Sequence, residues 1–213
     1  NGQPANLIDL PGLYSLVPHS PDEQIAREVL LGLRDDTPVP NLIINTVDAS
    51  NLERNLYLTS QLMDIGLPMV IALTMSDDAE SAGITIPAKE LAEKIGVPVI
   101  AITATKRIGL IDLMKAVQNY HTNPPINPVW EPPTKANAVI ATLQSTLQEG
   151  FHLQPKVAQI EAVTLLMQEE TNRLHERLTP EQQRLILSTR EDLARAEIDF
   201  PTVVINARYE WIA

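Results

Sequence analysis

"NLIINTVDASNLERNLYLTSQLMDIGLPMVIALT", residues 41–74, decides the fold. Two apolar runs, 41–47 and 68–74, flank a helical stretch. Both runs are nearly continuous in Ile, Val and Leu, the pattern of strands buried on both faces of a parallel sheet. Between them Leu52, Leu56, Thr59 and Met63 recur at helical spacing and line one face, and Gly66 stops the helix. Parallel neighbours need a crossover of this length, so the stretch reads as one β-α-β unit.

The alternation extends in both directions. Upstream, 6–9 (NLID) reads as a further strand. Ser20-Pro21-Asp22-Glu23 then starts a helix: Ser20 caps it, Pro21 suits the first helical position and Glu23 closes a capping box. That helix is expected to run to about Leu33. Downstream, a helix from about Pro87 to Ile95, stopped by Gly96, leads to a strand at 97–103 and a helix from about Leu110 to Tyr120. The order predicts an α/β fold, a parallel sheet with flanking helices. "NPPINPVWEPP", residues 123–133, carries five prolines in eleven residues, a stiff extended linker. Beyond it, 134–195 reads as helices, with breaks at Gly150 and Pro155 and a new start at Thr179-Pro180-Glu181. A strand or extended piece is expected at 202–205. The predicted domains are a partial sheet domain at 1–122, the linker, and a small all-α domain at 134–213.

Bulk chemistry narrows the function. The chain has 213 residues, 44% hydrophobic and 20% charged, ordinary for a protein with a buried core. Its formal charge is −11, acidic in both the 1–120 and the 121–213 parts. That argues against nucleic acid as a partner and against an electrostatic hold on anionic lipid. With no Cys, disulfides and thiolate metal sites are excluded. The four His (19, 121, 152 and 175) lack the i, i+4 spacing of a helical metal site. No run approaches the length of a membrane span, and the first residues do not read as a signal peptide. Without an initiator Met, the chain is expected to begin mid-protein.

Three short stretches carry candidate chemistry, each at the carboxyl end of a predicted strand, where open α/β sheets bind ligands. In Asp9-Leu10-Pro11-Gly12, a strand-end Asp can hold Mg²⁺ through water, and Gly lets its N–H approach a terminal phosphate. The same tetrapeptide also suits a plain type II turn. In Thr74-Met75-Ser76-Asp77, the Asp77 carboxylate can accept from the guanine N1–H and exocyclic amine, a donor pair adenine lacks. Alternatively, Asp77-Asp78 caps the next segment. Thr103-Ala104-Thr105 is either a loop whose N–H meets a guanine oxygen or merely a polar connection. Their shared placement favours a guanine-nucleotide site.

The runs "IINTVDASNLERNLYLTSQLMDIGLPMVIALTMSDDAE" (43–80) and "IDLPGLYSLVPHSPDEQIARE" (8–28) resemble the GTPase domain of the bacterial ferrous iron transport protein B (FeoB) family. Residues 124–213 resemble the helical domain that follows it, and "ARYEWIA" the approach to the family's first membrane helix. The resemblance implies a P-loop-GTPase-like fold, guanine nucleotide (GTP or GDP) and Mg²⁺ as cofactors, and a transporter membrane domain in cis as partner. It also implies a place on the cytoplasmic face of the bacterial inner membrane. A second copy of the chain is a further candidate partner. Carried over by position, the resemblance implies that Asp9 faces Mg²⁺ and Gly12 the γ-phosphate, that residues 13–20 form the second switch loop, that Thr74–Asp77 select the base, and that Thr103–Thr105 form the last base-contacting loop.

Two departures stand out. The base-selecting motif normally opens with Asn, and here it is Thr74. The phosphate-loop motif G-x-x-x-x-G-K-[ST] occurs nowhere in the 213 residues. It is expected upstream of Asn1, together with the first strand and the first switch. No Gln follows Gly12; Leu13 and Tyr14 stand there. The chain alone is therefore expected to be inactive, with hydrolysis belonging to the intact protein and its catalytic residues unassigned. Two alternatives are a non-catalytic pseudo-GTPase interaction module and a soluble Era-like GTPase, the latter disfavoured by the acidic surface. Iron binding is not argued from this chain, and acidic pairs such as Glu169-Glu170 read as a solvated helix face.

Overall fold

The computed structural model describes residues 5–81, 83–120, 134–167 and 177–213. The quoted stretch folds as expected. β1 (Ile43–Asp48), α2 (Leu52–Ile65) and β2 (Met69–Thr74) make the β-α-β unit, with β1 and β2 parallel from Ile43↔Met69 to Asp48↔Thr74. α1 (Pro21–Leu30) precedes it. α3 (Ser76–Ser81) and α4 (Ala88–Ile95) lead to β3 (Val99–Ala101), parallel to β2, and α5 (Leu110–Gln118) follows. The sheet order is β1-β2-β3. The central β2 is buried from Met69 to Leu73, which is why its sequence is an unbroken apolar run.

Ser20 caps α1 as expected, its Oγ accepting from Glu23 N (3.2 Å). The expected capping box does not close on Ser20: Glu23 Oε2 accepts instead from His19 N, one residue earlier (2.7 Å). Gly66 closes α2 at φ 76, a left-handed value that favours Gly, and its N–H donates to Met63 O at 3.0 Å. α1 stops three residues earlier than expected, because Leu31 caps it and Gly32 turns away at φ 66.

Three expectations need correction. Residues 6–9 form no strand: Leu7 is 84% exposed, and among the described residues β1 pairs with β2 alone. An extended run with no neighbouring strand leaves its N–H and C=O groups in water and gains nothing from being regular. The 97–103 strand shrinks to Val99–Ala101, although Ile102 N still donates to Leu73 O (2.8 Å). Residues 202–205 lie inside a helix, α9 (Phe200–Ile212). Asp199 Oδ2 accepts from Thr202 Oγ1 (2.6 Å) and Pro201 sits in the first turn, so the cap overrides the β-branched run.

Among the described residues, the helices after residue 133 are α6 (Thr134–Phe151), α7 (Pro155–Met167), α8 (Pro180–Arg195) and α9. Thr179 and Gln182 form a full capping box at the start of α8. The proline-rich stretch 123–133 and Glu169-Glu170 lie outside the described residues. The described residues form two apolar cores. One gathers Val47, Leu56, Met63, Met69, Ile71, Leu73 and Val99 around the sheet. The other gathers Ile140, Leu147, Ala158, Leu165, Ile186 and Val204 among the helices. α7 serves both, giving Val157 and Ile160 to the first and Ala158, Ala162 and Leu165 to the second. A helix apolar all round must be buried all round. α9 is tied onto α2: Arg208 donates to Asp64 Oδ2 (2.5 Å) and Ser60 Oγ (3.2 Å), and Tyr209 stacks on Tyr57 at 5.3 Å.

Candidate functional site

The loops after β2 and β3 leave adjacent strands at the same edge of the sheet. Thr74 closes β2 and donates from Oγ1 to Val47 O of β1 (3.1 Å). Its hydroxyl is thereby engaged with the sheet. Met75 turns the chain at φ 57, and its carbonyl accepts from Ala79 N (3.0 Å) to open α3. Ser76 Oγ is buried with no hydrogen-bond partner among the described residues. Asp77 stands in the first turn, its side chain 41% exposed.

The second loop is built on backbone. Thr103 and Ile108 exchange N–H···O bonds of 3.1 and 3.2 Å across an antiparallel bridge. Inside it Ala104–Lys106 make one 3₁₀ turn, closed by Lys106 N to Thr103 O at 3.1 Å. Arg107 (φ 55) and Gly109 (φ 77) take left-handed conformations to return the chain. A Cβ on Gly109 would stand 2.1 Å from Ala101 O, so only Gly fits there.

One side-chain contact joins the loops: Lys106 Nζ donates to Asp77 Oδ2 at 3.0 Å. That hydrogen bond, more than any other influence, holds the Asp77 carboxyl below its ordinary range. Lys106 was not among the residues singled out from sequence. Its signal is slight, a cation directly after Thr105.

Asp9–Gly12 is built differently. The segment has no regular structure; Asp9, Pro11 and Gly12 are exposed and Leu10 is half-buried. A Cβ added to Gly12 would meet nothing within 4 Å. Among the described residues, no hydrogen bond or ion pair joins Asp9–Gly12 to the Asp77 or Thr103–Thr105 loops. Nor do the described residues include three or more His, Asp or Glu grouped as metal ligands. Mg²⁺ commonly takes one or two carboxylates and completes its shell with phosphate and water; Asp9 is of that type and stands open to solvent.

The loop beyond Gly12 is anchored. Leu16 is 3% exposed; its N–H donates to Gln61 Oε1 (2.7 Å), and its carbonyl accepts from Arg27 Nε (2.8 Å). Gln61 Nε2 also donates to Ser15 Oγ (3.2 Å). The Arg54 guanidinium lies 4.0 Å above the Tyr14 ring. Arg27 itself makes a buried ion pair with Glu161 of α7 at 2.9 Å. Sequence reading found Ser20 and Glu23 at the edge of this loop and missed Gln61, Arg27 and Glu161.

Comparison with known proteins gives the family. Residues 1–117 match the family described as Ferrous iron transport protein B. The chain is 46% identical over 121 residues to the Fe(2+) transporter FeoB of Escherichia coli (strain K12), covering 55% of this chain and 15% of that protein. It is 35% identical over 224 residues to an Fe(2+) transport protein A/Fe(2+) transporter FeoB fusion protein of Porphyromonas gingivalis, covering 97% of this chain and 25% of that one. The chain thus spans a quarter or less of the length of these curated relatives. Among solved structures, NFeoB from S. thermophilus bound to GDP·AlF4⁻ and K⁺ superposes with a TM-score of 0.76 at 33% identity, covering 96% of this chain and 77% of that one. The cytosolic domain of L. pneumophila FeoB does so with a TM-score of 0.76 at 33% identity, covering 96% and 75%. An S. thermophilus NFeoB variant bound to GMPPNP gives 0.75 at 34% identity, covering 96% and 77%. The chain belongs to the ferrous iron transport protein B family.

Proposed function

We propose that this chain is the guanine-nucleotide-binding region of a ferrous iron transporter, facing the cytoplasm at the bacterial inner membrane and regulating Fe²⁺ uptake by a membrane domain in cis. The observation that carries the reading is the meeting of two loops, after β2 and β3, through Asp77 and Lys106. An exposed carboxylate at a strand end, beside a preformed backbone loop, is what recognition of a guanine edge requires. The solved relatives bound to GMPPNP and to GDP·AlF4⁻ support the same ligand class.

In this reading Asp77 accepts from the base, with Thr74, Met75 and Ser76 shaping its turn, and Thr103–Thr105 offer backbone donors. Asp9 takes Mg²⁺ through water, and Leu10, Pro11 and Gly12 bring a backbone N–H toward the γ-phosphate. The nucleotide-binding part spans 1–122, and the linker at 123–133 leads to a helical domain at 134–213. Nucleotide state is read at residues 13–20 by reordering of the loop that Gln61 and Arg27 hold.

Most contacts to β- and γ-phosphates come from a phosphate loop and its Lys, and that motif does not occur in this sequence. The 213-residue chain is therefore expected to bind a fluorescent GTP analogue more weakly than micromolar, and Asp77→Asn to shift its preference from guanine to xanthine nucleotides. Micromolar affinity of the unaltered chain would contradict the weak-binding expectation. An unchanged base preference in the variant would remove Asp77 from the site.

A further inference from the structure

We propose that Lys106 is a built-in competitor for the base. Its ammonium occupies the Asp77 carboxylate until a guanine edge displaces it, so that Lys106 sets how tightly the base is held. The proposal rests on the reading of Asp77 as the base-recognition carboxylate.

The geometry carries it. Guanine presents two adjacent N–H donors, and a carboxylate matches them only with both oxygens, side by side. Lys106 Nζ sits 3.0 Å from Oδ2, one of those two oxygens, and so competes there with a base docking in two-point fashion. Neither backbone has to yield for this. Asp77 stands on a helical turn held by Ala79 N to Met75 O (3.0 Å) and Ser81 Oγ to Asp77 O (2.8 Å). Lys106 stands on a 3₁₀ turn inside the Thr103–Ile108 bridge. What moves is a four-carbon stem, its side chain 60% exposed. An ion pair this exposed is weak and screened by salt, so it exchanges readily. It is strong enough to tune affinity and too weak to block it.

The chemistry gives the proposal an unusual sign. Guanosine is neutral, so salt has little direct effect on its approach. Salt does weaken the Lys106–Asp77 pair. Added salt is therefore expected to tighten guanosine binding, whereas a lysine that merely held the fold would leave binding flat or weaken it with salt.

The test is an NMR titration of the 213-residue chain with guanosine, up to the solubility limit of the nucleoside, at low and high NaCl. Adenosine serves as the control. Lys106→Gln is expected to bind guanosine about 2–5-fold tighter than the unaltered chain at low salt, the range open to an exposed ion pair, and to lose the salt dependence. Lys106→Arg keeps the charge and is expected to behave as the unaltered chain does. Equal or weaker binding by Lys106→Gln, with Asp77→Asn abolishing binding, overturns the competitor role and leaves the Asp77 reading standing. Binding that survives Asp77→Asn overturns the base site and the competitor with it. No guanosine binding by either the unaltered chain or Lys106→Gln overturns the proposal as well, because removing the competitor then opens nothing.

Discussion

Asp77 and Asp9 both follow apolar runs, and only Asp77 has a sheet beneath it. β2 is paired on both sides, Met69–Thr74 with β1 and Ile71–Leu73 with β3, so the residue after its end has a fixed origin. Among the described residues the run before Asp9 has no paired neighbour, and Leu7 is 84% exposed. Register comes from neighbours, not from the run itself. A strand-end residue is placed only as well as its strand is paired. Beyond Gly12 order returns by another route. Leu16 is held through side chains, Gln61 on one side and Arg27 on the other. The loops after β2 and β3 are thus built on sheet and backbone turns, and the loop at 13–17 is anchored by buried polar contacts.

The severest way to break this contrast is to remove the polar anchor. Arg27 and Glu161 are 2% and 1% exposed in their side chains. Arg27→Met leaves Glu161 buried without its cation, and is expected to cost about 3–5 kcal/mol in urea unfolding. The double variant Arg27→Met with Glu161→Leu is expected to recover most of that loss, since a buried ion pair is replaceable by apolar packing. A loss under about 1 kcal/mol, the scale of an exposed pair, would mean that the loop at 13–17 is anchored elsewhere.

A smaller effect probes the loop after β3. Gly109→Ala brings a Cβ against Ala101 O, 2.1 Å away in the present backbone, at φ 77. The expected cost is about 1–3 kcal/mol. Hydrogen exchange should localise it: the Thr103 and Ile108 amides, which close the bridge, exchange faster, while those of residues 13–17 stay as they are. Faster exchange in both regions would show that the two sides are not independently built.

These two variants also mark what was legible in the sequence. β1 and β2 were readable because a strand buried on both faces leaves an unbroken apolar run. Gly66, Gly96, Ser20 and Thr179 were readable because caps and stops act within a few residues. Residues 6–9 and 202–205 misled because local β-propensity is conditional. The first lacked a neighbour, and the second was overruled by Asp199 and Pro201 a few positions earlier. Asp77 could be singled out by strand-end logic. Arg27–Glu161 could not, because no periodicity links an arginine inside α1 to a glutamate inside an apolar helix far along the chain. Lys106 lay in between: its neighbour Thr105 was in view, but its partner was set by the β2–β3 register.

The smallest expected effect concerns that partner. Asp77 lies below its ordinary pKa of 3.8 because Lys106 hydrogen-bonds its charged form. A depressed acid adds stability that is present above the unfolded pKa and lost as pH falls through the folded one. Asp77 is too open to solvent for that loss to show in unfolding, so the carboxyl itself must be followed, by its ¹³C shift against pH. In the unaltered chain the midpoint should fall below 3.8, and in Lys106→Gln it should return toward 3.8. Asp36 is the internal reference. Arg34, and then Thr37, hold it at about 2 through hydrogen bonds, and the substitution at 106 touches neither. If Asp77 moves and Asp36 does not, the loops after β2 and β3 are coupled through one ammonium, and the sheet supplies only their placement. If neither moves, backbone packing alone holds the loops together, and the Asp77 carboxylate is already clear for a ligand.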